Sequence, residues 1–195
     1  MIERGNFLMS WHTGHYGFIN ADYISKESLC INDLGLEIRN SESYYYNNLT
    51  RDYHGFLFQY TLDGYGIYET SGVKHKMTKG KAFFITFPED SRYYFSADDD
   101  PANSWTFFYI HFSGPAAAPF FERIRELSGP VLQLEPDSKP INQFFDLYDI
   151  LRSKSSLVRY MTNEWLYRFL ISLVRYTEAP PGKQTSPYVA AAMNW

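Results

Sequence analysis

The 195-residue chain contains one cysteine, Cys30, so no disulfide can form within it, and the lone thiol fits a reducing compartment. It has no basic stripe. Eighteen lysines and arginines against twenty-two acidic residues leave a formal charge of −4, without the clustering that would neutralise nucleic-acid phosphates. DNA binding by this segment alone is therefore not expected. No apolar run approaches a membrane span, and the N-terminus lacks the uninterrupted apolar stretch of a signal peptide. A cytoplasmic location without a membrane partner is the expectation. Nucleophile motifs, phosphate loops and paired-cysteine sites are missing as well.

What the chain has in plenty is aromatic side chains, 19% of residues within a hydrophobic fraction of 45%, enough for the core of one domain. Between 51 and 115 short apolar runs are punctuated by turn residues. Gln59-Tyr60-Thr61-Leu62 and Ile67-Tyr68-Glu69-Thr70 flank Asp63-Gly64-Tyr65-Gly66, a pattern that predicts a β-hairpin turning at the glycines. Ala82 to Phe87 is a continuous apolar run between the turn Lys79-Gly80-Lys81 and Pro88, and predicts a core strand. Arg92 to Phe95 and Ser104 to Phe112 supply two more strands around the acidic turn Asp98-Asp99-Asp100-Pro101, whose adjacent aspartates do not have calcium-loop spacing. Several short, closely spaced strands predict a sandwich or barrel.

After Gly114 the periodicity changes from two to between three and four. Phe120, Phe121, Ile124 and Leu127 predict a helix face ended by Ser128-Gly129-Pro130, and a second helix is expected from Lys139 to Arg152. The longest is expected from Ser156 to Glu178, where Leu157, Met161, Trp165, Phe169 and Leu173 repeat every four residues. Its broad stripe can cover the strands, form a dimer surface, or do both. Ala179 to Pro187 then reads as a connector, and Tyr188 to Trp195 as the uncompleted start of another helix, as expected of a piece of a longer protein.

This ordered set resembles the N-terminal cupin sensor of AraC-type bacterial transcription regulators over residues 30 to 195. The residues that carry the resemblance are Arg51-Asp52 before a strand, Gly64-x-Gly66, a strand ending at Pro88, Tyr94, and Trp105 to Gly114, followed by helices and a linker. The resemblance implies a mainly β chain with C-terminal helices: a cupin-like, jelly-roll β-barrel followed by an antiparallel helical dimerisation segment. The boundaries are an arm over 1–29, an effector-binding barrel over 30–115, a helical segment over 116–178, and over 179–195 a linker with the start of a truncated helix-turn-helix domain. It further implies a small-molecule effector, a saccharide or similar, homodimerisation through the 156–178 helix, and DNA binding only through the missing C-terminal part. In this family an N-terminal arm can fold over the pocket, which assigns that role here to Phe7, Trp11, His12 or Tyr16.

Strand alternation places Trp105, Phe107, Tyr109 and His111 on one face. The resemblance makes Tyr109 the aromatic on which a sugar stacks, with Phe107 and Tyr94 beside it. Where the family has a sugar-contacting arginine, this chain has Asp63, which either accepts hydrogen bonds from sugar hydroxyls, together with Gln59 and Thr61, or caps its own turn. Arg51 and His54 lie near the strand entrance, within reach of the barrel mouth. No cofactor, metal or catalytic residue is expected: metallo-cupins need two alternating histidines, a carboxylate and a third histidine, whereas here His54, His75 and His111 stand apart. The alternative is a cupin-fold metal-dependent enzyme or a stand-alone sugar-binding protein.

Overall fold

The alternation seen in the sequence is realised as two cores on opposite faces of one antiparallel sheet. The computed structural model describes residues 12–19, 24, 27–97, 103–153 and 160–179. The described strands are β1 (Gly14–Gly17), β2 (Cys30–Arg39), β3 (Tyr45–Asn47), β4 (Gly55–Thr70), β5 (Val73–Thr78), β6 (Lys81–Phe87), β7 (Ser91–Tyr94), β8 (Trp105–Ser113) and β9 (Val131–Gln133). The helices are α1 (Ala118–Ser128), α2 (Lys139–Arg152) and α3 (Met161–Glu178).

The main sheet runs β1-β2-β8-β4-β6-β9. The first part of β4, Gly55 to Gly64, pairs there with β6 and β8, whereas Tyr65 to Thr70 pair with β5 and β7 in a second layer that β3 completes. One strand thus belongs to both layers. Among the described residues the ladder does not close on itself, so the expected barrel is an open, cupin-like pair of sheets with β1 and β9 at the edges of the larger one.

The expected hairpin at Asp63 to Gly66 is not a turn. Strand β4 continues through it, with a register shift between Thr61 and Asp63. A β-bulge re-aims the strand there, and Gly66 is required because the Trp105 ring lies directly against its Cα. The chain reverses at Ser71-Gly72, where φ values of 52° and 74° make the two-residue turn that joins β4 to β5.

On the helix side of the main sheet, Leu34, Phe58, Phe84, Phe108, Ile110 and Phe112 pack against Ile124, Phe144, Leu147, Leu166, Phe169, Leu170 and Leu173. Between the two sheets lie Leu57, Tyr68, Phe83, Ile85, Trp105 and Phe107. Burial on both faces explains why β6 reads as a continuous apolar run rather than an alternating one. Helix α2 has the expected bounds. In α1, Ile124 is fully buried and Phe120 and Phe121 are half-buried, but Leu127 is exposed. Helix α3 begins later than expected, because Tyr160 is left-handed (φ 65°) and Met161 is the first helical residue. Leu157, the Asp98–Asp100 turn and the connector beyond Ala179 fall outside the described residues.

Tyr60 sits in the helix-side core, 1% exposed, and its hydroxyl donates to the Leu134 carbonyl at 3.3 Å. Burial, with the nearby Glu135 charge, pushes this phenol up to about 12. Since the unfolded phenol ionises near pH 10, the neutral form's contribution is intact below pH 10 and is lost as pH rises from there toward 12, by about 2 to 3 kcal/mol. Urea midpoints should therefore fall between pH 9 and 12. The fall should be smaller, though still present, in Tyr60→Phe, because Tyr93 and Tyr109 are pushed in the same direction by burial.

Candidate functional site

The inner face of β8 changes character along its length. Trp105 and Phe107 are fully buried between the sheets, and two and four residues further on Tyr109 and His111 open onto a cavity of about 320 Å³. Strand β4 runs antiparallel to it and contributes Leu57 and Gln59. Strand β2 contributes Asp33, Glu37 and Arg39, and β1 contributes His15. The opposing wall is Tyr44, Tyr46 and Tyr93 from the second layer, with Phe87, Arg51 and Tyr53 where the chain enters β4. The volume lies at the small end of ligand pockets, and the lining is polar and aromatic.

On the β2 side His111 Nδ1 is 2.8 Å from Asp33 Oδ2 and Nε2 is 3.5 Å from Asn32 Nδ2, while the ring packs against Tyr53 and Phe87 with centres 5.3 and 5.7 Å apart. The Tyr109 hydroxyl lies 2.8 Å from His15 Nδ1. Burial, reinforced by the Asp33 and Glu37 carboxylates, raises the Tyr109 phenol and keeps it protonated.

Where the chain enters β4 the lining is built on Arg51. Its guanidinium lies 4.7 Å from the centre of the Tyr46 ring and 4.6 Å from that of Phe87, and donates to the hydroxyls of Tyr53 and, at 2.8 Å, of Tyr93. Arg39 differs in having a carboxylate partner, Glu37, at 2.7 Å. Gln59 is 2% exposed, and among the described residues its Nε2 has no hydrogen-bond partner. A buried amide left in this state is costly unless something else completes it.

Of the residues expected at the site, Tyr109, His111, Gln59 and Arg51 come together around the cavity. Phe107 and Trp105 share their face but lie deeper, in the inter-sheet core. Thr61 is occupied there, accepting from Trp105 Nε1 at 3.0 Å and donating to the Met77 carbonyl at 3.1 Å. Tyr94 faces away and packs on Tyr45, while its neighbour Tyr93 points in, because the pairing of β7 with β4 turns Ser91 and Tyr93 inward. Asp63, past the bulge, and His54 are exposed and off the lining. Sequence reasoning missed His15, Asp33, Glu37, Tyr44 and Tyr46. For β2 a signal existed, since Leu34, Leu36 and Ile38 alternate with Asp33, Glu37 and Arg39.

Among the described residues no three His, Cys, Asp or Glu side chains are grouped to hold a metal ion, and no helix is long and apolar enough to cross a membrane.

A family model described as the AraC-like ligand binding domain matches residues 36–170. No curated protein sequence matches the chain. Among solved structures, the AraC-like transcriptional activator CuxR is similar over 86% of this chain and 61% of its own, at 10% identity and a TM-score of 0.50. The protein YhaK from Escherichia coli is similar over 65% of this chain and 52% of its own (13% identity, TM-score 0.42). ToxT from Vibrio cholerae O395 is similar over 77% and 54% (12% identity, TM-score 0.44). The chain therefore spans between half and about three-fifths of the length of these proteins.

Proposed function

Because the chain belongs to the AraC-like ligand binding domain family, we propose that it is the effector-sensing and dimerisation part of a bacterial, cytoplasmic transcription regulator, and that its effector is a saccharide or similar polyol held in the cavity. Residues 30–115 would form the sensing part and 116–178 the helical part, with homodimerisation through the 156–178 helix and DNA binding by a separate helix-turn-helix domain of the full regulator. The role is regulatory and not enzymatic. The observation that carries the reading is Gln59, a buried amide whose Nε2 has no partner among the described residues, in a cavity walled by tyrosines. Aromatic faces and polar edges suit the mixed surfaces of a sugar, and a ligand oxygen would complete the amide.

A thermal-shift screen against mono- and disaccharides, with divalent metals on the same plate, tests this. A ligand at a hundred times its Kd stabilises the native state by about 2.7 kcal/mol, and for a chain of this size the melting temperature should rise by about 5 to 10 °C. Gln59→Leu removes the uncompleted amide, so the ligand-free variant should melt at or above the wild-type temperature while losing most of the ligand shift. A shift that survives in Gln59→Leu would place the ligand elsewhere, and a response to metal alone would favour an enzyme.

A further inference from the structure

Arg51 and Asp33, both on the cavity lining, differ in what they lack. Arg51 is held by the rings of Tyr46, Tyr53 and Phe87 and by the hydroxyls of Tyr53 and Tyr93, all neutral, and among the described residues its guanidinium pairs with no carboxylate. Burial raises the Tyr93 phenol, so this partner stays uncharged and its own proton can be donated onward. The two hydrogen bonds to Tyr53 and Tyr93 engage two of the five guanidinium N–H groups, and a planar fork with donors to spare matches a carboxylate. Beyond the His111 ring, which packs on both Tyr53 and Phe87, Asp33 presents a carboxylate that His111 and Tyr109 only partly occupy, an acceptor for hydroxyl protons. Gln59 Nε2, in register with Tyr109, needs an acceptor.

Building on the effector reading above, we infer that the ligand is a sugar acid of monosaccharide size, its carboxylate on Arg51, a ring or hydroxyl oxygen on Gln59 Nε2, and hydroxyl groups toward Asp33 and Tyr109. A neutral sugar would bury Arg51 without a counter-charge, which costs binding energy that a carboxylate recovers. A sugar phosphate would bring up to two negative charges toward Asp33 and Glu37, so the monoanionic carboxylate is favoured.

Calorimetric titration of the whole chain with galacturonate, glucuronate and gluconate, against galactose, glucose and glucose 6-phosphate, decides the point. At least one acid should bind tenfold or more tighter than its neutral parent. Arg51→Met should lower the affinity for that acid by roughly ten- to a hundredfold, while any affinity for the neutral parent changes little. Arg51→Lys keeps the charge but not the fork and should retain part of the preference. The melting temperature of each ligand-free variant verifies that the cavity is still formed. Neutral sugars binding as tightly as the acids, or an acid preference that survives in Arg51→Met, would overturn the inference and leave the effector reading standing. Preference for the phosphate would keep Arg51 as the anion site but overturn the carboxylate. Binding by none of the acids also overturns the inference, and the broader screen then decides the effector reading separately.

Discussion

Gly66→Ala should cost about 3 kcal/mol or more, or prevent folding. The added Cβ would stand 2.0 Å from Cε3 of Trp105 and 2.2 Å from its Cδ2, well inside contact distance. The indole cannot retreat. It is fully buried, its Nε1 donates to Thr61 Oγ1 at 3.0 Å, and Phe107 packs on it with ring centres 4.9 Å apart. Backbone must therefore move in β4, the strand common to both layers. Urea unfolding provides the measurement, with Gly17→Ala as the comparison, since a Cβ there meets nothing within 4 Å and the change should stay within about 0.5 kcal/mol. Pairing Gly66→Ala with Trp105→Leu should recover part of the loss, because two substitutions at one contact are not additive. A Gly66→Ala domain as stable as the wild type would contradict the close approach of strand and indole.

Phe108→Ala should cost about 3 to 5 kcal/mol and lower the melting temperature by about 10 °C or more. Phe108 is fully buried on the helix side of β8, stacked on Phe144 of α2 with ring centres 3.8 Å apart and planes at 11°, and flanked by Tyr60 and Phe145. The ring therefore joins sheet to helix, and its removal leaves a void that neither rigid element can close. Phe108→Leu, which keeps most of the volume, should cost less, about 1 to 1.5 kcal/mol. Circular dichroism melts of the two variants distinguish these outcomes. If Phe108→Ala lost no more than Phe108→Leu, the seat of α2 on the sheet would not be as described.

What the sequence made legible was local. The apolar run of β6, the two faces of β8, the bounds of α2 and the end of α1 at Gly129 each follow from patterns within a dozen residues. The misplaced hairpin shows where locality fails: two glycines read as a turn, but Gly66 answers to Trp105, 39 positions away, and the bulge before it follows from pairing with β8. The same limit governs the cavity. Tyr93 and Tyr94 differ by one position in phase, and the phase of β7 is set by its pairing with the far half of β4. His15 meets Tyr109 across 94 residues of chain, a proximity no spacing rule expresses. The acidic residues of β2 are readable in principle, since Leu34, Leu36 and Ile38 alternate with Asp33, Glu37 and Arg39.

Strand β1 is four residues long and, among the described residues, pairs only with β2, yet it supplies a wall of the cavity through His15. Strands β4 and β8, by contrast, sit in the interior of the sheet with both cores against them. In the hierarchy of local unfolding an edge strand with one neighbour opens at a free energy far below that of the global transition. Opening of β1 takes His15 out of the cavity wall and Tyr16 off Tyr148 without breaking the β4–β8 ladder, so the Tyr109 hydroxyl loses its partner before the sheet is lost.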